Sequence, residues 1–160
     1  MLMGGQSAQS GSGRQSRPSG QPSLGMLAFL AYRQTEMRSM AAVEAAGYTI
    51  SLSQARLFER VSPEGSRLTE LAESAQLTKQ SAAYLLDELI TGGYLRRSPD
   101  PEDGRAKLIT ITDRGYEVIA VARRSEAEVE DEWRSHLGDG SFDMLCRLLT
   151  ELSEVTDPFR

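Results

Sequence analysis

Three consecutive polar residues, Lys79, Gln80 and Ser81, have the side chains best suited to a nucleic acid in this 160-residue chain. An ammonium neutralises phosphate, a carboxamide bonds adenine through two contacts, and a hydroxyl reaches bases or phosphates. Thr78 before them adds a second hydroxyl, and Tyr84 after them adds a ring that can stack or bond phosphate. Further along, Arg105 stands in Pro99-Asp100-Pro101-Glu102-Asp103-Gly104-Arg105-Ala106, whose prolines, acids and glycine read as an exposed hairpin loop. From such a loop a guanidinium can enter a narrow minor groove. Arg96, Arg97 and Lys107 flank it as candidates for phosphate contacts. Catalysis has little to draw on. Cys146 and His136 are the single cysteine and histidine, too few for a zinc tetrad or a disulfide, and neither has a partner at catalytic spacing. No glycine-rich phosphate loop is present. Catalytic residues, bound metal and cofactor are all read as none.

The elements that must hold these groups are legible from spacing. Thr78 can cap a helix running to about Thr91, stopped by Gly92-Gly93, with Ala82, Leu85, Leu86 and Leu89 as its inner face. Gln80, Ala83, Tyr84 and Asp87 then lie opposite, Asp87 as an intraprotein partner because a carboxylate repels phosphate. Thr69 can cap a shorter helix to Ala75, with Leu71, Ala72 and Ala75 inward. Two short helices joined by a brief turn, over residues 69–91, form a helix-turn-helix. Strands over Tyr94–Ser98 and Lys107–Thr112, with Ile109 and Ile111 inward, make a hairpin over 94–112, and the whole is a winged helix spanning 51–112. Upstream, Ser51 and Gln54 make a capping box before Leu52, Ala55, Phe58 and Val61.

Long helices flank this unit. Residues 24–47 repeat Leu27, Leu30, Met37, Met40 and Ala41 at helical spacing and stop near Gly47. From Thr112, a cap, the seam Val118, Ala122, Ser125, Val129 and Trp133 is close to a coiled-coil repeat, and pairing across a two-fold axis would bury it. A last helix from about Ser141 to Thr156 presents Phe142, Leu145, Leu149, Leu152 and Val155. Residues 1–23, almost all Gly, Ser, Gln, Pro and Ala, read as a disordered tail, with a minor-groove arm as the alternative. The fold expected is mainly α with a small β-hairpin wing, one domain over 24–160.

Composition sets outer limits. Charged residues are 26% and hydrophobic ones 39%, as in a soluble globular protein, and no apolar run approaches the roughly 18 residues of a membrane span. No secretory signal is read at the start, and a cytoplasmic location is the default. The formal charge of −5 is unevenly spread: +2 over residues 1–66, −1 over 67–107 and −6 over 108–160. The acids of the last third are read as a solvated helix face.

Leu68-Thr69-Glu70-Leu71-Ala72, Leu77-Thr78-Lys79-Gln80-Ser81 and, above all, Asp100-Pro101-Glu102-Asp103-Gly104-Arg105 followed by Ile109-Thr110-Ile111-Thr112-Asp113-Arg114-Gly115 resemble the MarR family of bacterial transcription regulators. The likeness is good from about Leu52 to Tyr116. It implies a homodimer joined through its terminal helices (24–47 and 113–160), two winged helices reading a palindromic operator on double-stranded DNA, and a small-molecule effector cavity between the dimerisation helices and the reading head. It makes Asp103 a brace for Arg105. Ala83 and Tyr84 depart from it, standing where the family more often has a small polar residue followed by Arg. Cys146 is read as a packed, inert thiol and His136 as a helix-end residue. A winged-helix adaptor for another protein remains the alternative to a DNA-binding repressor.

Overall fold

A computed structural model describes residues 20–100 and 106–156. The expected tail falls outside it up to residue 19, but Ser23 is ordered as the cap of the first helix, accepting from the Met26 amide. Six helices and one hairpin follow: α1 (Leu24–Ala45), α2 (Leu52–Phe58), α3 (Leu68–Ser74), α4 (Lys79–Thr91), β1 (Leu95–Pro99), β2 (Lys107–Ile111), α5 (Asp113–Leu137) and α6 (Asp139–Thr156). The fold is mainly helical with a small wing, as the sequence indicates.

Each element of the reading unit has a local cause. Ser51 and Gln54 form the capping box of α2, each satisfying the other's amide. The Gln54 amide also donates to Glu88 on α4 at 2.9 Å, tying the two helices. α3 starts one residue before the expected cap. Its N-cap is Arg67, whose amide donates to Glu70 at 2.9 Å, and Thr69 is an ordinary exposed position inside the helix. The turn between α3 and α4 passes through Gln76 at φ 54°, a left-handed position that glycine fills more cheaply. Thr78 caps α4 as its spacing predicts, and Gly92 ends it.

The hairpin pairs Leu95 with Ile111 and Pro99 with Lys107, beginning one residue after Tyr94. Ser66 adds a short third rung, exchanging two backbone hydrogen bonds with Ile109. Leu57, Leu71, Leu86, Leu89 and Leu95 are almost wholly buried where α2, α3, α4 and the wing converge. Leu52, expected inside with Phe58 and Val61, is exposed, and Leu57 takes its place, because α2 rests on α4 along the side bearing Leu57.

The flanking helices depart most from expectation. The seam of α5 is buried inside the chain: Val118, Ser125 and Val129 are covered and Ala122 and Trp133 partly so, because α1 packs along α5. Arg38 of α1 holds Glu132 of α5 at 2.7 and 2.8 Å along that contact. Most of the apolar positions expected on α1 do not serve it, with Met40 half-buried as the exception. Leu27, Leu30 and Met37 face solvent, and Ser39 and Val43 are the buried residues. On α6 only Phe142 is buried, under Arg134, and Leu145, Leu149, Leu152 and Val155 are exposed. Cys146 is exposed with them, so the expected packed thiol is corrected within one chain. His136 lies in the last turn of α5, as expected.

Wing and α5 are joined without a linker. The Thr112 hydroxyl donates toward the Gly93 and Tyr94 carbonyls (2.7 and 2.9 Å) and accepts the Gly115 amide at 3.0 Å. The first turn of α5 is therefore held against the residues that lead into β1. Arg114 stacks on both Tyr48 and Tyr94, 5.2 and 5.1 Å from their ring centres.

A candidate nucleic-acid interface

The first turn of α4 is the most open part of the reading unit. Thr78, Lys79, Gln80 and Ser81 are all exposed. The Thr78 hydroxyl accepts the Ser81 amide at 3.1 Å and shares a 2.9 Å hydrogen bond with the Ser81 hydroxyl, so these two residues fix the helix end. Lys79 and Gln80 have no side-chain partner among the described residues. Their ammonium and carboxamide project from a helix end whose first amides have no intrahelical acceptor, an arrangement suited to anions. Tyr84, one turn on, is 63% exposed and donates to Glu88 at 2.7 Å. That bond to the Glu88 carboxylate raises the phenol pKa.

The wing cations divide between two faces, because side chains alternate along a strand. Arg97 turns toward α4 and pairs with Asp87, which confirms Asp87 as an intraprotein partner and places a guanidinium beside the helix. Arg96 lies on the opposite face, its Nε 3.3 Å from the Thr110 hydroxyl, with Ser98 on the same side. Lys107 is exposed at the start of β2. Asp103 and Arg105 lie outside the described residues.

One residue of the loop departs from its expected exposure. Asp100 is 5% exposed, and it accepts from Arg67 Nε at 2.9 Å. Its amide donates to the Ala106 carbonyl at 3.2 Å, closing the base of the loop. Arg67 thus joins the start of the helix-turn-helix to the root of the wing. Sequence spacing gave no sign of this pair, since 33 residues separate its members. The Asp100 carboxylate is buried and the Arg67 side chain is 43% exposed, so the two deletions are unequal. Arg67→Ala is expected to cost roughly 1–3 kcal/mol by taking the guanidinium from a buried carboxylate. Asp100→Asn is expected to cost less, because the asparagine carbonyl can still accept from Arg67, whose side chain is 43% exposed. Urea denaturation of both variants checks the order.

A second opening lies between α1, α2 and α5. It has a volume of about 610 Å3, and its body is lined by Met40, Val43, Phe58, Val61, Val118 and Trp133. Ligand sites commonly span about 300–1,000 Å3. Glu36 accepts from Arg56 at its edge, at 2.7 and 3.0 Å, and this pairing holds the Glu36 carboxyl below its usual pKa.

A helix-turn-helix with a hairpin wing, set on a long helix, defines a winged helix-turn-helix protein. Comparison with known proteins carries the assignment further. Residues 46–106 match the family model described as the MarR family. The chain is 28% identical over 109 residues to an uncharacterized HTH-type transcriptional regulator of Mycobacterium leprae, covering 68% of this chain and 76% of the relative. Among solved structures, the transcriptional regulator Tm0710 from Thermotoga maritima superposes with a TM-score of 0.61 at 25% identity, over 82% of this chain and 91% of that one. The transcriptional repressor CouR, solved bound to a 23-mer DNA duplex, gives 0.60 at 24% identity, over 82% and 92%. The winged-helix part of the chain thus resembles the MarR family, and the relatives it matches are described as transcriptional regulators.

Proposed function

We propose that this chain is a homodimeric, sequence-specific repressor. It reads a palindromic operator with α4 in the major groove and the wing along the backbone, and a small molecule in the α1–α2–α5 cavity releases it. The observation that carries this reading is the open first turn of α4, where Lys79 and Gln80 project without intramolecular partners among the described residues. The duplex bound to CouR supports it by analogy of fold. The dimer is supported by apolar surface that one chain leaves uncovered: Leu27, Phe29 and Leu30 on α1, and Leu145, Leu149 and Leu152 on α6. Contiguous patches of this kind mark association surfaces. Such a repressor acts in the cytoplasm, where its operator is. The polar face of α4 suits DNA better than the apolar patch a protein adaptor would present.

The test is selection from random duplexes followed by titration at several salt concentrations. Gln80→Ala is expected to relax preference at one base pair per half-site, with a loss of about 1–3 kcal/mol there. Half-sites are expected about 10–10.5 base pairs apart, centre to centre. Arg105→Ala is expected to weaken binding to many sequences alike and to flatten the logarithmic salt slope by about 0.9 for every phosphate no longer neutralised. Unchanged affinity and slope in that variant would reduce the wing to a turn.

A further inference from the structure

The charged lining of the α1–α2–α5 cavity is lopsided. Glu36 of α1 is spent on Arg56 of α2, and it also accepts from the Tyr32 hydroxyl at 2.7 Å. That leaves Glu59, the residue that ends α2, with Glu126 and Glu130 of α5, against Arg123 in the lining and Arg60 beside Glu59. A second observation is independent of charge. Ser39, on the buried side of α1, lines the same cavity and is 8% exposed. Its hydroxyl is the one buried side-chain polar atom among the described residues without a hydrogen-bond partner. Buried hydroxyls are normally bonded, so an orphan inside a cavity points to a bound group that completes it.

We propose that the cavity takes an organic cation: an apolar, ring-bearing body among Phe58, Val118 and Trp133, a protonated amine held by Glu59 and Glu126, and a polar group meeting Ser39. This deepens the effector reading above and rests on it. Glu59 is exposed at the cavity's edge, where desolvation by the packed helices, with Glu126 and Glu36 nearby, outweighs Arg60 and Arg56 and pushes its carboxyl above its usual pKa, so an ammonium there would relieve the crowding. An anion of the same shape would meet carboxylates instead.

Trp133 is the only tryptophan in the chain and lines the cavity, so its emission reports occupancy. The full-length protein is titrated with phenylbutylammonium, phenylbutanol and phenylbutyrate, one body offered as cation, neutral alcohol and anion. The ammonium is expected to bind about tenfold or more tightly than the carboxylate, a preference set by charge alone. Glu59→Gln and Glu126→Gln, nearly isosteric changes at the cavity edge, are each expected to reduce that preference about threefold or more. A carboxylate that binds as well as the ammonium overturns the cation assignment and leaves the effector cavity standing. A preference that survives both glutamine variants places the amine elsewhere and overturns it too. No change in Trp133 emission with any of the three at millimolar concentration overturns both the cation and the cavity as an effector site.

Discussion

Leu149→Glu is expected to leave the protein monomeric at micromolar concentration and to weaken operator binding by about a thousandfold or more, down to the level of non-specific binding. Leu149 stands on α6 among Leu145, Leu148 and Leu152, all exposed in the single chain. Folding leaves this face unused, since Phe142 alone is buried on that helix. A carboxylate placed there would be desolvated by association, at a cost of several kcal/mol, and would have no partner among the neighbouring leucines. The fold of one chain does not depend on the position, so helix content should be retained at low temperature, while the melting temperature loses the contribution that association makes. Light scattering and a gel-shift titration read the two effects. A dimer that persists in this variant would move the interface away from α6.

Gly115→Ala is expected to be the most destabilising small substitution in the reading unit. A β-carbon at this position would stand 2.3 Å from the Tyr94 carbonyl oxygen and 2.8 Å from the Ile111 side chain. The first is backbone and cannot swing aside, so α5 must lift off the wing. Overpacking of this kind costs about 2–3 kcal/mol, more than the gain of about 1 kcal/mol that alanine brings to a helix. The net loss of about 1–2 kcal/mol should lower the melting temperature of a chain of this size by roughly 2–8 °C, read by circular dichroism. Because the displaced packing joins α5 to the wing, DNA binding should weaken well below the melting temperature.

The parts of the fold that were legible in the sequence are those fixed by neighbours in the chain. Thr78, the apolar face of Ala82, Leu85, Leu86 and Leu89, and Gly92 give α4 from end to end, since cap, stripe and stop all lie within one segment. Thr112 and Gly115 do the same for the start of α5. Errors arose where a distant partner decides. Thr69 is a better cap by type than Arg67, but Arg67 is also claimed by Asp100 across the wing. The α5 seam is apolar at the right spacing, and periodicity cannot say whether a second chain or α1 of the same chain covers it. α1 covers it, which turned Leu27 and Leu30 outward and left α6, with Cys146, at the surface. The candidate site followed the same rule. Exposure of Lys79 and Gln80 came from one helix, whereas the orphan hydroxyl of Ser39 and the crowding of Glu59 depend on three helices meeting.

The absence of a linker between the wing and α5 makes the pair a lever. With Thr112 clamped to the Gly93 and Tyr94 carbonyls just before β1, the hairpin must turn with the first turn of the helix. α5 has 25 residues, hence an arm of about 37 Å, and a pivot of about 5° at its far end would carry the wing about 3 Å. That sweep is as long as a hydrogen bond. The cavity lies along the arm, between its Val118 and Trp133 positions. A molecule that wedges α1 from α5 by a fraction of an ångström near this fulcrum would be magnified at the tip into a displacement large enough to make or break a hydrogen bond to phosphate.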